Sequence, residues 1–356
     1  MDFSFTEAQQ DLAGLARSIL TDWADKHEPR PLGNGYDAEL WAALAKAGLL
    51  DAALPQSVGG GGFGLLEQCS VLLEVGRVVA PAPYLAAIAV SAAAIAEFGG
   101  PAHAERWVLP VLRGTATLAP ALDAGIDAER TADGWRLSGA QTAVPAGSFA
   151  DAFVIAAAVG DHDELIVVDR NTTGLTVTPQ QVTDGGDAAL LELDDVTVGA
   201  DAALGAGAAD WARRRATIAW CALQLGVVER ALEITAEYAR TRKQFDKVIG
   251  SFQAVRQRLA DGYLDVEAVR LTLWQAAWRE SEGLPADAEI ATAKFWAAEA
   301  GHRVAHTTVH VHGGVGIDLD APAHRYFVAA KRAEFSMGGS TRQLRRLGAA
   351  LAHEPA

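Results

Sequence analysis

The sequence predicts an α+β protein built from three consecutive blocks: an α-helical N-terminal domain, a middle β domain and a C-terminal four-helix bundle. Two changes in the hydrophobic pattern predict this order. Apolar residues recur with a helical period in residues 1–114, form short β-type runs in residues 115–208, and return to a helical period in residues 209–356. These ranges are the domain bounds that we expect.

The N-terminal block begins with a predicted helix. Thr6 and Gln9 have the spacing of a capping box and stand just ahead of an apolar stripe. Residues 38–50 and 65–79 repeat the helical pattern. The most hydrophobic window, residues 80–98, is rich in alanine and broken by prolines, so it indicates a buried helix rather than a membrane span.

Five runs in the middle block predict strands, because they are β-branched or alternate between apolar and polar residues. They are residues 135–137, 153–155, 165–168, 175–177 and 196–198. Turn dipeptides such as Asp133-Gly134 and Gly185-Gly186 separate them. The pattern predicts a small β-barrel or sandwich.

The last block predicts four long helices with short connections. Apolar stripes run through residues 218–232 and 252–266, a third helix is expected at about 286–310, and a last one at about 340–353. Long helices joined by short loops are typical of an antiparallel bundle.

Composition limits the partners of this chain. Half of its 356 residues are hydrophobic, which is enough for a large core, and its net charge of -15 opposes nucleic acid and anionic membranes. Two cysteines far apart in sequence indicate no disulfide framework and a reducing compartment. Residues 1–5 show no basic or apolar secretion signal, so we expect a cytoplasmic protein.

Three segments carry more specific motifs. Residues 54–60 form a proline-to-double-glycine turn, residues 240–245 contain an Arg-x-x-Phe motif continued through 249–253, and residues 310–316 read His-Val-His-Gly-Gly-Val-Gly. These motifs, in this order of domains, resemble the acyl-CoA dehydrogenase family over essentially the whole chain. The resemblance implies that family's fold and an FAD-dependent α,β-desaturation of acyl-CoA thioesters.

The resemblance also implies a cofactor site. In that family the second and third motifs reach across a dimer interface to the FAD of the neighbouring subunit, where a guanidinium matches a pyrophosphate and glycines let backbone N–H groups approach it. The matching residues here are Arg242, Gln244, Phe245, His310, Gly313 and Gly314. Taken alone, Arg242 would be an exposed cation at a helix end and the glycines an ordinary helix C-cap.

No catalytic residue is assigned to this chain. The family's base is a Glu just before a Gly-Thr pair at the start of the last helix, and that position falls on Met337 or Gly338, which cannot accept a proton. The location used by some family members, on the first helix of the bundle, reads Ala216-Thr217 here. Glu334 lies about one helical turn away, which favours a surface carboxylate over a displaced base.

The middle domain departs from the family as well. Residues 119–123 and 143–145 replace the family's Thr-Glu-Pro-Gly-type loop and Trp-Ile-Thr strand, so we expect no complete flavin or thioester pocket in this chain. Residues 238–246 and 302–316 resemble the smaller subunit of actinobacterial heterotetrameric acyl-CoA dehydrogenases, which act on the CoA thioesters of cholesterol and related steroid side chains.

That resemblance implies an assembly. It implies an α2β2 tetramer in which a homologous catalytic subunit supplies the base and holds most of the acyl-CoA, with an electron-transfer flavoprotein as electron acceptor. Two alternatives stay open: a self-sufficient homotetrameric dehydrogenase with a relocated base such as Glu334, and a non-enzymatic scaffold subunit.

Two further signals are set aside. Residues 59–64 satisfy G-x-G-x-x-G, but no strand precedes them, which opposes a Rossmann nucleotide site. His302, His306 and His310 share one helix face, but no nearby carboxylate or cysteine completes a metal site. We therefore expect no metal.

Overall fold

The computed structural model describes residues 4–27 and 36–353, so residues 1–3 of the segment inspected for a secretion signal lie outside it. The described residues form two compact units. The first contains helices α1 (Glu7–Lys26) and α3 (Leu65–Val78) and all residues described after 216. The second contains α2 (Ala38–Lys46), the helical segments between residues 84 and 112, and the seven-stranded β-sheet. Each unit combines residues from more than one of the three blocks expected from the sequence. The bounds of those blocks stay a prediction.

The remaining helices are short between residues 84 and 112 and long after residue 207. The short ones are the π-helical Tyr84–Ala92 and Ala104–Val108, α4 Ala93–Phe98, α5 Pro101–His103 and α6 Leu109–Leu112. The long ones are α7 Ala208–Thr241, α8 Gln253–Ser281, α9 Asp287–His312, α10 Pro322–Phe335 and α11 Ser340–His353. Short 3-10 turns lie at Gln56–Val58, Ala200–Ala202, Ile249–Ser251 and Gly313–Ile317.

In the first unit, local chemistry fixes where helices begin and how closely they pack. The predicted capping box of α1 is confirmed: the Gln9 N–H donates to Thr6 Oγ1 at 3.2 Å, and the Thr6 N–H donates to Gln9 Oε1 at 3.0 Å. The backbones of helices α3 and α7 are in direct contact at Gly76. A Cβ at this position would overlap the Leu223 carbonyl oxygen, so only glycine allows this approach. Helix α9 packs against α8, α10 and α11.

An ion-pair network also joins helices of this unit. The Glu74 carboxylate, only 3% exposed, accepts hydrogen bonds from Arg17 Nη2 at 2.6 Å and Nε at 3.1 Å. Arg77 in turn contacts Glu229 at 3.1 Å and Glu233 at 2.8 Å. Arg77 Nε also lies 3.9 Å from the Glu74 carboxylate, so two guanidinium groups are close to this buried carboxylate.

The second unit contains one mixed seven-stranded sheet. Its strands are β1 Leu118–Ala121, β2 Ile126–Arg130, β3 Gly134–Pro145, β4 Ala152–Val159, β5 His162–Asp169, β6 Leu175–Gln181 and β7 Asp187–Gly199. The strand order is β1-β4-β2-β3-β7-β6, with β5 paired to β4. Strands β3 and β7 pair in antiparallel register with Trp135 opposite Val198, and β1 runs parallel to β4. Trp135, Phe153 and Ile166 belong to the apolar core of this sheet.

The predicted order of helices, strands and helices is confirmed. All five predicted strand runs lie in strands, but the pattern does not predict β1, β2, α10, the helical segments at 101–112 or the short strand pair at 243–248. The window at residues 80–98 contains a helical segment that is buried throughout Tyr84–Ala92. Among the described residues, no helix combines the length and the apolar character needed to cross a bilayer.

Replacing Glu74 with Gln should lower the free energy of unfolding by about 1–3 kcal/mol, because two guanidinium groups lose a buried anionic acceptor. The matched control is Asp22→Asn, which breaks the exposed Asp22–Lys26 pair of 2.7 Å and should cost less than about 0.5 kcal/mol. Urea unfolding of the full chain measures both. Equal midpoints for the two variants would show that the buried carboxylate does not stabilise the packing of α1 and α3.

Candidate cofactor-binding site

The C-terminal ends of α7 and α9 enclose a cavity of about 540 Å³ in the first unit. Five of the six residues expected at the cofactor line it, and the sixth, Phe245, does not. The residues that line it are Tyr238, Arg242, Gln244, Ile249, His310, Val311, His312, Gly313, Gly314, Val315 and Asp318. Tyr238, Ile249, His312 and Asp318 are not among the site residues expected from the sequence.

The α7 side of the cavity is a helix end followed by a tight hairpin. The Arg242 N–H donates to the Tyr238 carbonyl at 2.9 Å, and the Ile249 N–H donates to the Arg242 carbonyl at 2.8 Å. Strands β8 (Lys243–Gln244) and β9 (Lys247–Val248) pair across a two-residue turn. Phe245 and Asp246 form that turn with φ of 53° and 63°, as in a type I′ hairpin. The Phe245 side chain is consequently 86% exposed.

The α9 side of the cavity is a glycine turn. Gly313 ends α9 with φ 64° and ψ -139°, a conformation that favours glycine, and its N–H donates to the Val309 carbonyl. A Cβ built on Gly313 or Gly314 would meet no atom within 4 Å, so both face open space. A ligand can therefore approach this stretch of backbone closely.

The charges at the cavity favour an anionic ligand on the α7 side. Arg242 is exposed and makes no ion pair with any residue that the structure describes, whereas Arg240 on the same turn contacts Glu237 at 2.9 Å. Asp318 is the one carboxylate in the cavity lining, and its Oδ1 accepts from the Asp320 N–H at 3.1 Å. A free guanidinium beside accessible backbone fits a phosphate-bearing group.

The two residues that the sequence matches to the family's base lie in the turn between α10 and α11. Met337 and Gly338 have φ of 57° and 92°, and neither side chain ionises. The buried Gln343 amide donates to the Met337 carbonyl at 2.9 Å, and the buried Lys294 ammonium donates to the Ala333 carbonyl at 2.9 Å. Burial lowers the pKa of Lys294. The turn is well anchored, but it presents no acid.

Glu334 is not the surface carboxylate that the sequence suggests. Its side chain is 12% exposed, and its two oxygens lie 2.5 Å from Lys331 Nζ and 3.4 Å from His302 Nδ1. The helical pattern alone could not show this, because it gives no information on which neighbours cover the residue. The Glu334 carboxylate therefore already contacts the side chains of Lys331 and His302.

The three histidines of α9 and the glycine-rich segment at 59–64 do not form the sites that their patterns could suggest. His302 and His306 lie side by side with ring centroids 4.5 Å apart, while His310 lines the cavity with Arg242. No group of three potential metal ligands occurs within residues 4–27 and 36–353. The segment at 59–64 follows a 3-10 turn, and a Cβ at Gly60 would overlap the Leu54 carbonyl. It is a packed turn rather than a phosphate loop.

The fold is that of an acyl-CoA dehydrogenase. Residues 6–115 match the family's N-terminal domain and residues 205–352 its C-terminal domain, so the chain belongs to the acyl-CoA dehydrogenase family, and its predicted fold class is confirmed. The family comprises flavoprotein oxidoreductases whose cofactor is FAD.

Similar proteins cover the whole chain. The chain is 48% identical over 375 residues to acyl-CoA dehydrogenase FadE27 of Mycobacterium tuberculosis, with 100% of both chains covered. The crystal structure of the ChsE4-ChsE5 complex from Mycobacterium tuberculosis matches with a TM-score of 0.96 at 48% identity, covering 100% of both chains. A variant of the Tcur3481-Tcur3483 steroid ACAD matches with a TM-score of 0.89 at 39% identity, covering 97% of this chain and 98% of that one.

Replacing Gly313 with Ala should lower the free energy of unfolding by about 1–3 kcal/mol, because an L side chain is strained at this φ and ψ. Gly314→Ala is the matched control, since its φ is not positive and the added methyl meets no atom. Its stability should stay the same or rise slightly. Thermal unfolding distinguishes the two, and a loss at Gly314 as large as at Gly313 would contradict the assigned turn.

Proposed function

We propose that this chain is the catalytically incomplete subunit of a heteromeric, FAD-dependent acyl-CoA dehydrogenase. It contributes the cross-interface edge of an FAD site, and a homologous partner in an α2β2 assembly supplies the catalytic Glu and most of the acyl-CoA cavity. We propose the CoA esters of steroid side chains as substrates and an electron-transfer flavoprotein as electron acceptor. A cytoplasmic location fits Cys69 and Cys221, which are buried and form no disulfide with each other.

One contrast carries the proposal. The cavity gathers Arg242, Gln244 and His310 with the Gly313–Gly314 backbone, while the turn at Met337 and Gly338 holds no acid. A chain that acted alone would need both features. Retention of the cofactor edge without the base is the pattern expected when an unlike subunit provides the missing half.

Each residue of the edge has a role that follows from its chemistry. FAD bound at the site would supply the hydride acceptor for the β-hydrogen of the acyl group. The Arg242 guanidinium would neutralise phosphate oxygens, and the Gly314 N–H would donate to them. Gly313, whose own N–H is bonded to the Val309 carbonyl, would let the cofactor approach the backbone closely. Phe245 stands on the hairpin tip, where an exposed ring is available to pack against the partner or its cofactor. None of these groups moves a proton.

The substrate class and the partner are supported by similarity. The chain is 48% identical to a subunit in the ChsE4-ChsE5 complex and 39% identical to a chain of the Tcur3481-Tcur3483 steroid ACAD, in both cases over nearly its whole length. Both matches are to assemblies of two differently named chains. Exposed apolar side chains near the cavity, Ile317 at 67% and Leu319 at 57%, also suit a protein partner.

Replacing Arg242 with Ala in the complex should raise the FAD dissociation constant by about 10- to 100-fold, because one charge-assisted contact to phosphate is lost. The matched control is Arg240→Ala, which removes a cation from the same helical turn that is already paired with Glu237. Fluorescence of released FAD after dilution measures both. If the Arg242 variant kept its flavin while staying assembled, this chain would be a scaffold rather than part of the cofactor site.

Replacing Asp318 with Asn should slow FAD dissociation by about two- to fivefold, because a carboxylate opposite a pyrophosphate is repulsive. Asparagine keeps the side-chain oxygen that accepts from the Asp320 N–H, so the turn should persist. Asp320→Asn, outside the cavity lining, is the control. Faster release from the Asp318 variant would show that no anion sits in this cavity.

A further inference from the structure

The two walls of the cofactor cavity belong to different helices, and a seam of side chains joins those helices just behind it. The seam starts with two buried hydroxyls, Thr235 on α7 and Thr308 on α9, whose Oγ1 atoms are 3.1 Å apart. One turn nearer the cavity, the Tyr238 and His312 rings stack with centroids 4.4 Å apart and planes 21° from parallel. Both rings also line the cavity.

Each ring of this stack is tied to one cofactor contact. Tyr238 lies one helical turn before Arg242, and its carbonyl accepts the Arg242 N–H at 2.9 Å. His312 directly precedes Gly313, the glycine whose conformation ends α9. The stack therefore connects the turn that carries the guanidinium to the glycine turn at Gly313 and Gly314.

The orientation of the His312 ring is also fixed from its own helix. Its Nδ1 lies 2.8 Å from the Thr308 carbonyl, and because a carbonyl only accepts, Nδ1 must carry the proton. Burial lowers the pKa of His312 and outweighs the opposing effect of this hydrogen bond. At neutral pH the ring is thus uncharged and donates through Nδ1, so it adds no charge of its own to the anion site.

We propose that Tyr238 and His312 are positioning residues of the FAD edge, which hold the Arg242 guanidinium and the Gly313–Gly314 backbone at the separation that one cofactor requires. This inference rests on the proposed function. Helix ends fray, and both contacts lie at helix ends. A stacked pair across the two ends limits that motion before the cofactor arrives, which lowers the ordering cost of binding.

Four variants of the complex test the stack. Tyr238→Leu and His312→Leu remove a ring, whereas Tyr238→Phe keeps the stacking ring and His312→Phe keeps it but loses the Nδ1 hydrogen bond. We expect the Leu variants to release FAD about tenfold faster and Tyr238→Phe to change release by less than about twofold. His312→Phe should fall between them. The thermal midpoint of the FAD-free complex should stay close to that of the unmodified complex.

The readouts separate positioning from folding and from the proposed function. Unchanged release from both Leu variants, or equal losses in Tyr238→Leu and Tyr238→Phe, would overturn the positioning role. A fall in the FAD-free midpoint that accounts for the whole effect would also overturn it, since the rings would then serve stability alone. If Arg242→Ala also left FAD in place, the proposed cofactor edge itself would fail, and not only the stack.

Discussion

Close packing of α7 against α3 and α9 is the constraint on which the candidate site depends. Glycines make this packing possible: a Cβ at Gly226 would overlap the Leu73 carbonyl, and one at Gly301 would overlap the Gln224 amide. Gln224, which is fully buried, donates to carbonyls of α9 and α10 at 3.3 and 3.2 Å. Because this packing fixes the distance between α7 and α9, the C-terminal ends of these two helices lie side by side and line the cavity.

Hydrogen bonds also fix the backbone of the turn at Met337 and Gly338, where the resemblance to the family would place an acid. The buried Gln343 of α11 donates to the Met337 and Gly338 carbonyls in the turn between α10 and α11. The buried Lys294 of α9 donates to the Ala333 and Glu334 carbonyls at the end of α10, just before that turn. A carboxylate placed there would have a defined position, but the chain has Met337 and Gly338 instead. Glu334, one turn earlier, is held by Lys331. In the proposed function, cofactor binding and proton transfer are divided between two subunits, and this chain would contribute only to cofactor binding.

Much of the fold follows from local sequence, and the exceptions have physical reasons. Strand β1 is buried throughout and contains Pro120, so it does not alternate, and β2 is largely charged. Helix α10 buries mainly alanines, such as Ala323 and Ala330, which a chain rich in alanine places on every helix face. Periodicity therefore cannot mark these three elements, although it predicts the longer strands and helices.

The candidate site shows a similar division. The motifs predict Arg242, Gln244, His310, Gly313 and Gly314, and the structure brings these five to one cavity. Tyr238 stands two residues before the motif at 240–245, and His312 stands inside the motif at 310–316. Their contact depends on the ends of α7 and α9 lying side by side, which no single segment encodes. The four-residue spacing from Tyr238 to Arg242, which places both on one helix face, was the available signal.

The number of flavins in the purified assembly tests the central claim most directly. The chain would be co-expressed with a homologous dehydrogenase chain, and the assembly separated by size. Its protein and bound FAD would then be quantified by absorbance after denaturation. We expect one flavin for each pair of unlike subunits, because the two chains of a pair together form one cofactor site. One flavin in every subunit would contradict it.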